Sequence, residues 1–331
     1  IVRSYKLPLP LECWVVIEEG DDPRKYSADR VIVVPKSFKC LAHAKARALE
    51  YARRERIRLA DEGKISKYYF VVQGDDDSIV SRELLMDALT VESDIVVGTI
   101  CPRKTSLLGT LLDFERPYTC MHTCMFFTNL GHVIYGHGES QMHYWYVERI
   151  IDYEFKPLNG KRVDDVPVMG NEDMYFLHKA EMAGLKVYKS EKPVYISPPL
   201  TFGDAVKQRR RWIWGNFNIV YIKRMMPLSH AVRFMFVHAC AFMFYPLSQV
   251  GLILSLLGIL KLNFIEAVVG FASVTSWYAI RFYSIGKVMG WKNGLIGALV
   301  TKVTTFLNFT VLMIGVLQGD PKRFDVIKKT V

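Results

Sequence analysis

From about residue 230 the chain changes solvent. Ala231–Leu260 is almost wholly apolar, Phe264–Ile280 follows with a single Glu266, and Gly294–Leu317 is a third apolar stretch that carries Lys302. A bilayer crossing takes about twenty apolar residues. The third stretch qualifies, the first is longer than needed, and the second is short. The alternative, a buried helical hairpin of a soluble core, needs fewer such segments than stand here in a row. The chain is therefore expected to divide into a water-facing domain over 1–228, transmembrane or interface helices over 229–317, and a basic tail over 318–331. Pro246 splits the first apolar stretch. The positive-inside tendency puts both the N-terminal domain and the basic tail in the cytosol, which demands an even number of crossings. Three stretches meet that only if one lies in or re-enters the surface.

The first 110 residues alternate two periodicities. Cys13–Ile17, Val31–Val34, Tyr68–Val72 and Asp94–Gly98 read as buried strands, and turn residues or Pro35 bound them. Ala42–Ile57, rich in alanine with Lys45, Arg47 and Arg53, reads as a helix, and Ser81 caps a second one through Ala88. Asn171 precedes a helical run from Glu172 to Ala183 that stops at Gly184. Strands alternating with helices predict an α/β domain with a mostly parallel, doubly wound sheet. Such sheets bind ligands beyond the carboxyl ends of their strands. From Leu107 to Asp165 the pattern is irregular, with aromatic and histidine-rich runs that suit an acceptor-facing segment.

The net charge is +10 over 331 residues, with basic residues at Arg53-Arg54, Arg209–Arg211, Lys223-Arg224 and Lys322, Arg323, Lys328 and Lys329. Beside apolar segments, that balance points to lipid headgroups and a phosphorylated small molecule rather than nucleic acid. The six cysteines are scattered apart from Cys120-Met-His-Thr-Cys124, which lacks a second ligand pair for zinc. They read as reduced thiols of a reducing compartment.

Three charged clusters stand in order. Asp75-Asp76-Asp77 ends an apolar strand, Glu172-Asp173 opens a helix about a hundred residues later, and Gln208-Arg209-Arg210-Arg211-Trp212 precedes the apolar half. Two carboxylates one residue apart at a strand end suit a divalent metal and a phosphate-bearing donor; a bare acidic turn is the plain alternative. Glu18-Glu19, at the end of an earlier strand, could accept hydrogen bonds from a base or ribose. Asp173 suits a general base, with Glu172 as neighbour and alternate, although acids at helix N-termini are also ordinary caps. The arginines present forked donors for phosphate oxygens, and Trp212 a flat face for a sugar. Together these are the parts needed to move a sugar from a nucleotide diphosphate.

The order strand-Asp-Asp-Asp, Glu-Asp, Gln-Arg-Arg-Arg-Trp before apolar helices resembles the processive-type family 2 glycosyltransferases, whose domain is of GT-A type. The segments Ile32–Lys36, Lys45–Leu49, Gln208–Trp212 with Gly215, and Phe324–Lys329 resemble most its Egghead-like β-1,4-mannosyltransferase group. The resemblance runs from about Val31 to the C-terminus. It implies a metal (Mg²⁺ or Mn²⁺) on Asp77 with Asp75, and an inverting displacement with Asp173 as base. Donor contacts fall to Glu19, Lys45, Asp75, Asp76, Gln208, Arg209, Arg211 and Trp212, and acceptor contacts to His137, Gly138, Glu172 and Trp212. The implied donor is GDP-mannose or a UDP-hexose, and the acceptor a glycan or lipid-linked glycan at a membrane. A self-extending polysaccharide synthase and a non-catalytic scaffold of the same fold are the competing readings. The family's opening strand has no counterpart before Cys13, and Glu18-Glu19 stands where an Asp-Asp pair is expected, which reads as a fragment or an atypical member.

Overall fold

The computed structural model describes residues 4–103, 107–156, 171–222, 225–239 and 245–321. The chain opens with two parallel strands, β1 (Trp14–Glu18) and β2 (Arg30–Val34), in register from Trp14 opposite Arg30 to Glu18 opposite Val34. The β-branched runs Val-Val-Ile and Val-Ile-Val-Val suit a pleated surface. Helix α1 (Lys45–Asp61) packs against both strands. Its Glu50 is fully buried and is held by Arg53 at 2.8 Å, Arg54 at 2.7 Å and the Tyr153 amide at 3.1 Å. Burial pushes the Glu50 carboxyl up, but the Arg53 and Arg54 guanidiniums outweigh it and hold the group below the usual carboxylate range.

A five-stranded sheet follows, in the order β3-β6-β5-β7-β4. It contains β3 (Phe70–Val72), β4 (Ile79–Val80), β5 (Ile95–Pro102), β6 (Gln141–Tyr144) and β7 (Val187–Ile196). Only β5 and β7 run parallel; β3–β6, β5–β6 and β4–β7 are antiparallel. The mostly parallel sheet expected from the alternation is thus corrected to a mixed one. The inserted strand β6 reads Gln-Met-His-Tyr, and because Gln141 and His143 are polar yet fully buried, it hides in a stretch with no apolar alternation. The central strand β5 is buried at all eight positions. Helix α2 (Arg82–Thr90) starts as expected, with the Ser81 hydroxyl accepting the Leu84 amide at 3.1 Å.

Helices α3 (Leu107–Asp113) and α4 (Glu115–Thr119) flank Phe114, and a π-turn over 120–124 joins α4 to α5 (Met125–Asn129). The short helix α6 (Val147–Ile150) carries Glu148, which is fully buried and meets Arg56 of α1, the Tyr69 hydroxyl at 3.0 Å and His143 at 3.5 Å. Burial pushes this carboxyl up, but Arg56 and His143 outweigh it and bring it down to about 2. Helix α7 (Glu172–Met182) precedes β7, with Gly184 at φ +74° in the left-handed turn past its end.

Helix α8 (Phe202–Phe217) leads into the apolar half: α9 (Leu228–Ala239), α10 (Tyr245–Leu256), α11 (Phe264–Met289), α12 (Trp291–Leu299) and α13 (Thr301–Leu317). Among the described residues no single helix is long and apolar enough to cross a bilayer; α12 and α13 together meet that test but are bent by 66°. The first expected stretch is divided between α9 and α10, with Pro246 in the first turn of the latter. The second runs on to Met289 and includes Arg281, which is 1% exposed and forms two 2.6 Å bonds to Glu115 of α4. That ion pair, roofed by Tyr118 and Trp277, ties the apolar half to the α/β domain. Large apolar side chains nonetheless stand exposed along this half, among them Leu256, Phe264, Ile265, Phe271, Leu299 and Phe306. The basic stretch from Lys322 to Lys329 and the pair Lys223-Arg224 lie outside the described residues.

Candidate active site

β3 ends at Val72, and the turn Gln73–Ser78 carries the three aspartates to the edge strand β4. Gln73 is buried, with its amide donating to the Gly138 carbonyl at 3.2 Å and its side-chain oxygen accepting the Tyr153 hydroxyl at 3.0 Å. Asp75 is a quarter exposed and pairs with the Lys45 ammonium. Asp76 points to solvent. Asp77 is buried, with its Oδ2 accepting the Ser197 amide at 3.3 Å and its carbonyl accepting Arg103 at 3.2 Å.

Lys45 begins α1, directly after Ala44 at φ +48°. Its Nζ also stands 3.6 Å from Glu172 Oε1. Burial pulls the Lys45 ammonium down, but Asp75 and Glu172 overcome that and hold it well above the usual lysine range. For Glu172 burial leads and pushes the carboxyl up, Lys45 pulls it back, and Asp173 pushes it up again. Asn171, which opens α7, sits at φ +64° and donates from Nδ2 to the Trp212 carbonyl at 2.8 Å and to Asn216. Two non-glycine residues with left-handed φ therefore immediately precede the lysine and the acid pair. Such strain, of order 1 kcal/mol or more each, persists where surrounding structure enforces it.

Asp173 is held on both oxygens. Oδ2 accepts the Gly138 amide at 2.8 Å, Oδ1 accepts the Met174 amide at 2.8 Å, and its own carbonyl accepts Gln141 Nε2 at 2.9 Å. The loop Gly136-His137-Gly138 lies so close that a Cβ on Gly136 would fall 2.2 Å from the Asp173 carbonyl carbon, and one on Gly138 2.9 Å from Lys45 Nζ. The His137 ring turns away, buried, with Nε2 3.2 Å from Cys120 Sγ and 3.6 Å from Cys124 Sγ in the π-turn. Its role is to anchor the loop from behind, so of the two expected acceptor contacts in this loop only the Gly138 backbone faces the acids.

The three arginines of α8 point three ways, because successive helical residues are rotated by about 100°. Arg209 is buried on Asp113 at 2.9 Å and the Leu112 carbonyl at 3.3 Å, and its Nη1 donates to the buried Gln208. Arg210 caps α13 through the carbonyls of Gly319 at 2.6 Å and Gln318 at 3.1 Å. Arg211 alone faces the acids: burial pulls its guanidinium down, while Glu172, Asp75, Glu139 and Asp173 pull it up. Arg209 therefore turns to α3 rather than toward the acids, and the Gln208 side-chain oxygen is taken by Arg209. Trp212 is overlaid by Arg209 at 4.4 Å and Arg116 at 5.1 Å. Glu19 is exposed and accepts the Lys36 amide at 2.6 Å, while its neighbour Glu18 binds Arg47 in the first turn of α1.

Two participants escaped sequence reasoning. Glu139, next to Gly138, binds Arg116 at 2.6 Å; burial pushes it up, but Arg116 and Lys45 outweigh that and hold it far below the carboxylate range. Arg116 in turn reaches the Trp212 face. Their only sequence signal was the position of Glu139 in a Gly-His-Gly-Glu run. The result is a cluster of four carboxylates (Asp75, Glu139, Glu172 and Asp173) interleaved with three cations (Lys45, Arg116 and Arg211), drawn from six separated segments.

Residues 70–289 match the profile of glycosyl transferase family group 2, a span that holds all three clusters. The chain belongs to that family. It is also 24% identical to the β-1,4-mannosyltransferase egh of Drosophila melanogaster over 336 aligned positions, covering 96% of this chain and 70% of the relative. This family 2 glycosyltransferase thus gathers its acids at the end of β3 and the start of α7.

Proposed function

We propose that the protein transfers a hexose, with inversion, from GDP-mannose or a UDP-hexose to a glycan or lipid-linked acceptor at a membrane surface, forming a β-linkage. The observation that carries the reading is the convergence of Arg211 with Asp75, Glu172 and Asp173 in one charged cluster. Asp173, fixed through both oxygens, is positioned to take the proton of the attacking acceptor hydroxyl. Arg211 and Lys45 offer positive charge to a diphosphate leaving group, the kind of preorganised stabilisation that lowers such barriers most. Glu172, 3.6 Å from Lys45, can add a further carboxyl contact to the acceptor.

The carboxylate chemistry of the acidic turn suits a hard divalent ion, Mg²⁺ or Mn²⁺, which would draw on Asp77 and on Asp75, the latter in place of its Lys45 partner. When bound, such an ion neutralises charge on the departing phosphates. The exposed apolar side chains of α9 to α13 support a membrane-seated apolar half, since patches this extensive mark interaction surfaces. The mannosyl and β-1,4 details rest on the name of the fly relative.

A donor screen on membranes, with GDP- and UDP-sugars, candidate glycolipid acceptors and a chelator arm, tests this. Transfer from one donor, abolished by chelator and restored by Mg²⁺ or Mn²⁺, is expected. Chelator-resistant transfer removes the metal, and product of retained anomeric configuration removes the single displacement.

A further inference from the structure

Away from the acid cluster, the opposite end of α7 meets the start of α9 through imidazoles and a carboxylate. We propose that His178, Glu181 and His230 form a site for a divalent transition metal of the Zn²⁺ class, distinct from the acidic turn.

His178 and Glu181 stand three residues apart on α7, which puts them on one face of the helix. His230 arrives from the first turn of α9. His178 Nδ1 lies 3.1 Å from His230 Nδ1, and His230 Nε2 lies 3.4 Å from Glu181 Oε1. One ligand atom from each residue falls within 4.8 Å of the others. Around a tetrahedral zinc with bonds of about 2.05 Å, ligand atoms stand about 3.4 Å apart; the two short approaches use opposite ring nitrogens of His230, so sharing one ion through a single nitrogen closes the widest of the three separations by up to about 1.4 Å.

The surroundings suit a metal. His178 is 1% and His230 8% exposed, and His178 Nε2 is buried without a hydrogen-bond partner. Glu181 is oriented through Oε2 by the Val133 amide at 2.8 Å, and Arg233 bridges both of its oxygens at 2.9 and 3.0 Å, so an ion on Oε1 would share that oxygen with the guanidinium or displace it. His132 Nδ1, on a half-exposed ring 3.0 Å from Glu181 Oε1, offers a fourth ligand and a route in from solvent. Two imidazoles and one carboxylate select Zn²⁺, Co²⁺ or Ni²⁺ over Mg²⁺ and Mn²⁺, so millimolar Mg²⁺ at the acidic turn would not compete. An ion here would clasp α7, whose other end presents Glu172 and Asp173, to the apolar half.

The test is Co²⁺ titration of the metal-stripped full chain in detergent with saturating Mg²⁺, followed by visible absorption and displacement by Zn²⁺. One Co²⁺ per chain with the intense bands of tetrahedral coordination is expected, together with a higher melting temperature. His230→Gln and Glu181→Gln should lose the bands by at least tenfold in affinity, while Asp77→Asn keeps them. No bands in the wild type overturns the site, as do bands unchanged in a folded His230→Gln or Glu181→Gln, or bands lost in Asp77→Asn. Should both ligand variants fail to fold, X-ray absorption of the Zn²⁺-loaded wild type decides: two imidazole shells support the site, and sulfur ligation overturns it.

Discussion

Gly136→Ala isolates the packing that holds the proposed base. The new Cβ would lie 2.2 Å from the Asp173 carbonyl carbon, 2.2 Å from the Met174 nitrogen and 2.5 Å from the Asp173 oxygen. Ordinary carbon contacts begin at about 3.5 Å, so loop and helix must separate by about 1 Å. Both partners are backbone, so no rotamer change relieves the clash. A forced shift of this kind costs roughly 1–3 kcal/mol of stability. A 1 Å misplacement at a reacting group costs about 10²-fold in rate. Gly74→Ala, beside the acidic turn, is the control: its Cβ would meet only Ser78 and Glu139 atoms at 3.8 and 3.9 Å. Measured by radiolabelled sugar transfer and by thermal melting, Gly136→Ala should lose kcat by about 10²-fold and several degrees of melting temperature, with Gly74→Ala near wild type. Wild-type kcat in a folded Gly136→Ala protein would show that the Gly136 contact does not position Asp173.

Asp173→Asn keeps a hydrogen-bond acceptor for Gly138 but removes the proposed base, so kcat should fall by about 10²- to 10⁴-fold while donor affinity, read by calorimetry, changes little. Arg211→Met should weaken donor binding by about tenfold or more through a lost charge-assisted contact, whereas Arg209→Met, which removes the nearer of the two cations from the buried Asp113, should lower the melting point and leave donor affinity intact. Glu148 has a folded pKa depressed to about 2, so its contribution is complete above its unfolded value and is lost as pH falls from about 4.5 toward 2. Glu148→Gln should therefore destabilise the protein by about 3 kcal/mol at neutral pH, and flatten the acid limb of its stability profile in that window, as followed by denaturant melts. Equal acid limbs in both proteins would remove Glu148 from that role.

Local chemistry was legible in the sequence. The apolar runs of β1, β2, β3 and β5, the Ser81 cap, the alanine-rich α1 and the stop at Gly184 all follow from side-chain periodicity and backbone preference, which depend on near neighbours alone. The three charged clusters could be seen for the same reason, as residue types at fixed spacing. Tertiary structure alone decided which members of each cluster serve the site. Rotation of about 100° per residue sends Arg209 to α3, Arg210 to the end of α13 and Arg211 to the acids, a choice that depends on which elements surround α8. The buried polar strand Gln141–Tyr144, the turn of His137 onto two thiols, the Glu139–Arg116 pair and the meeting of His178 with His230 are likewise contacts between distant segments. Their energies come from burial and pairing that exist only once the chain has closed on itself, and no local pattern encodes them.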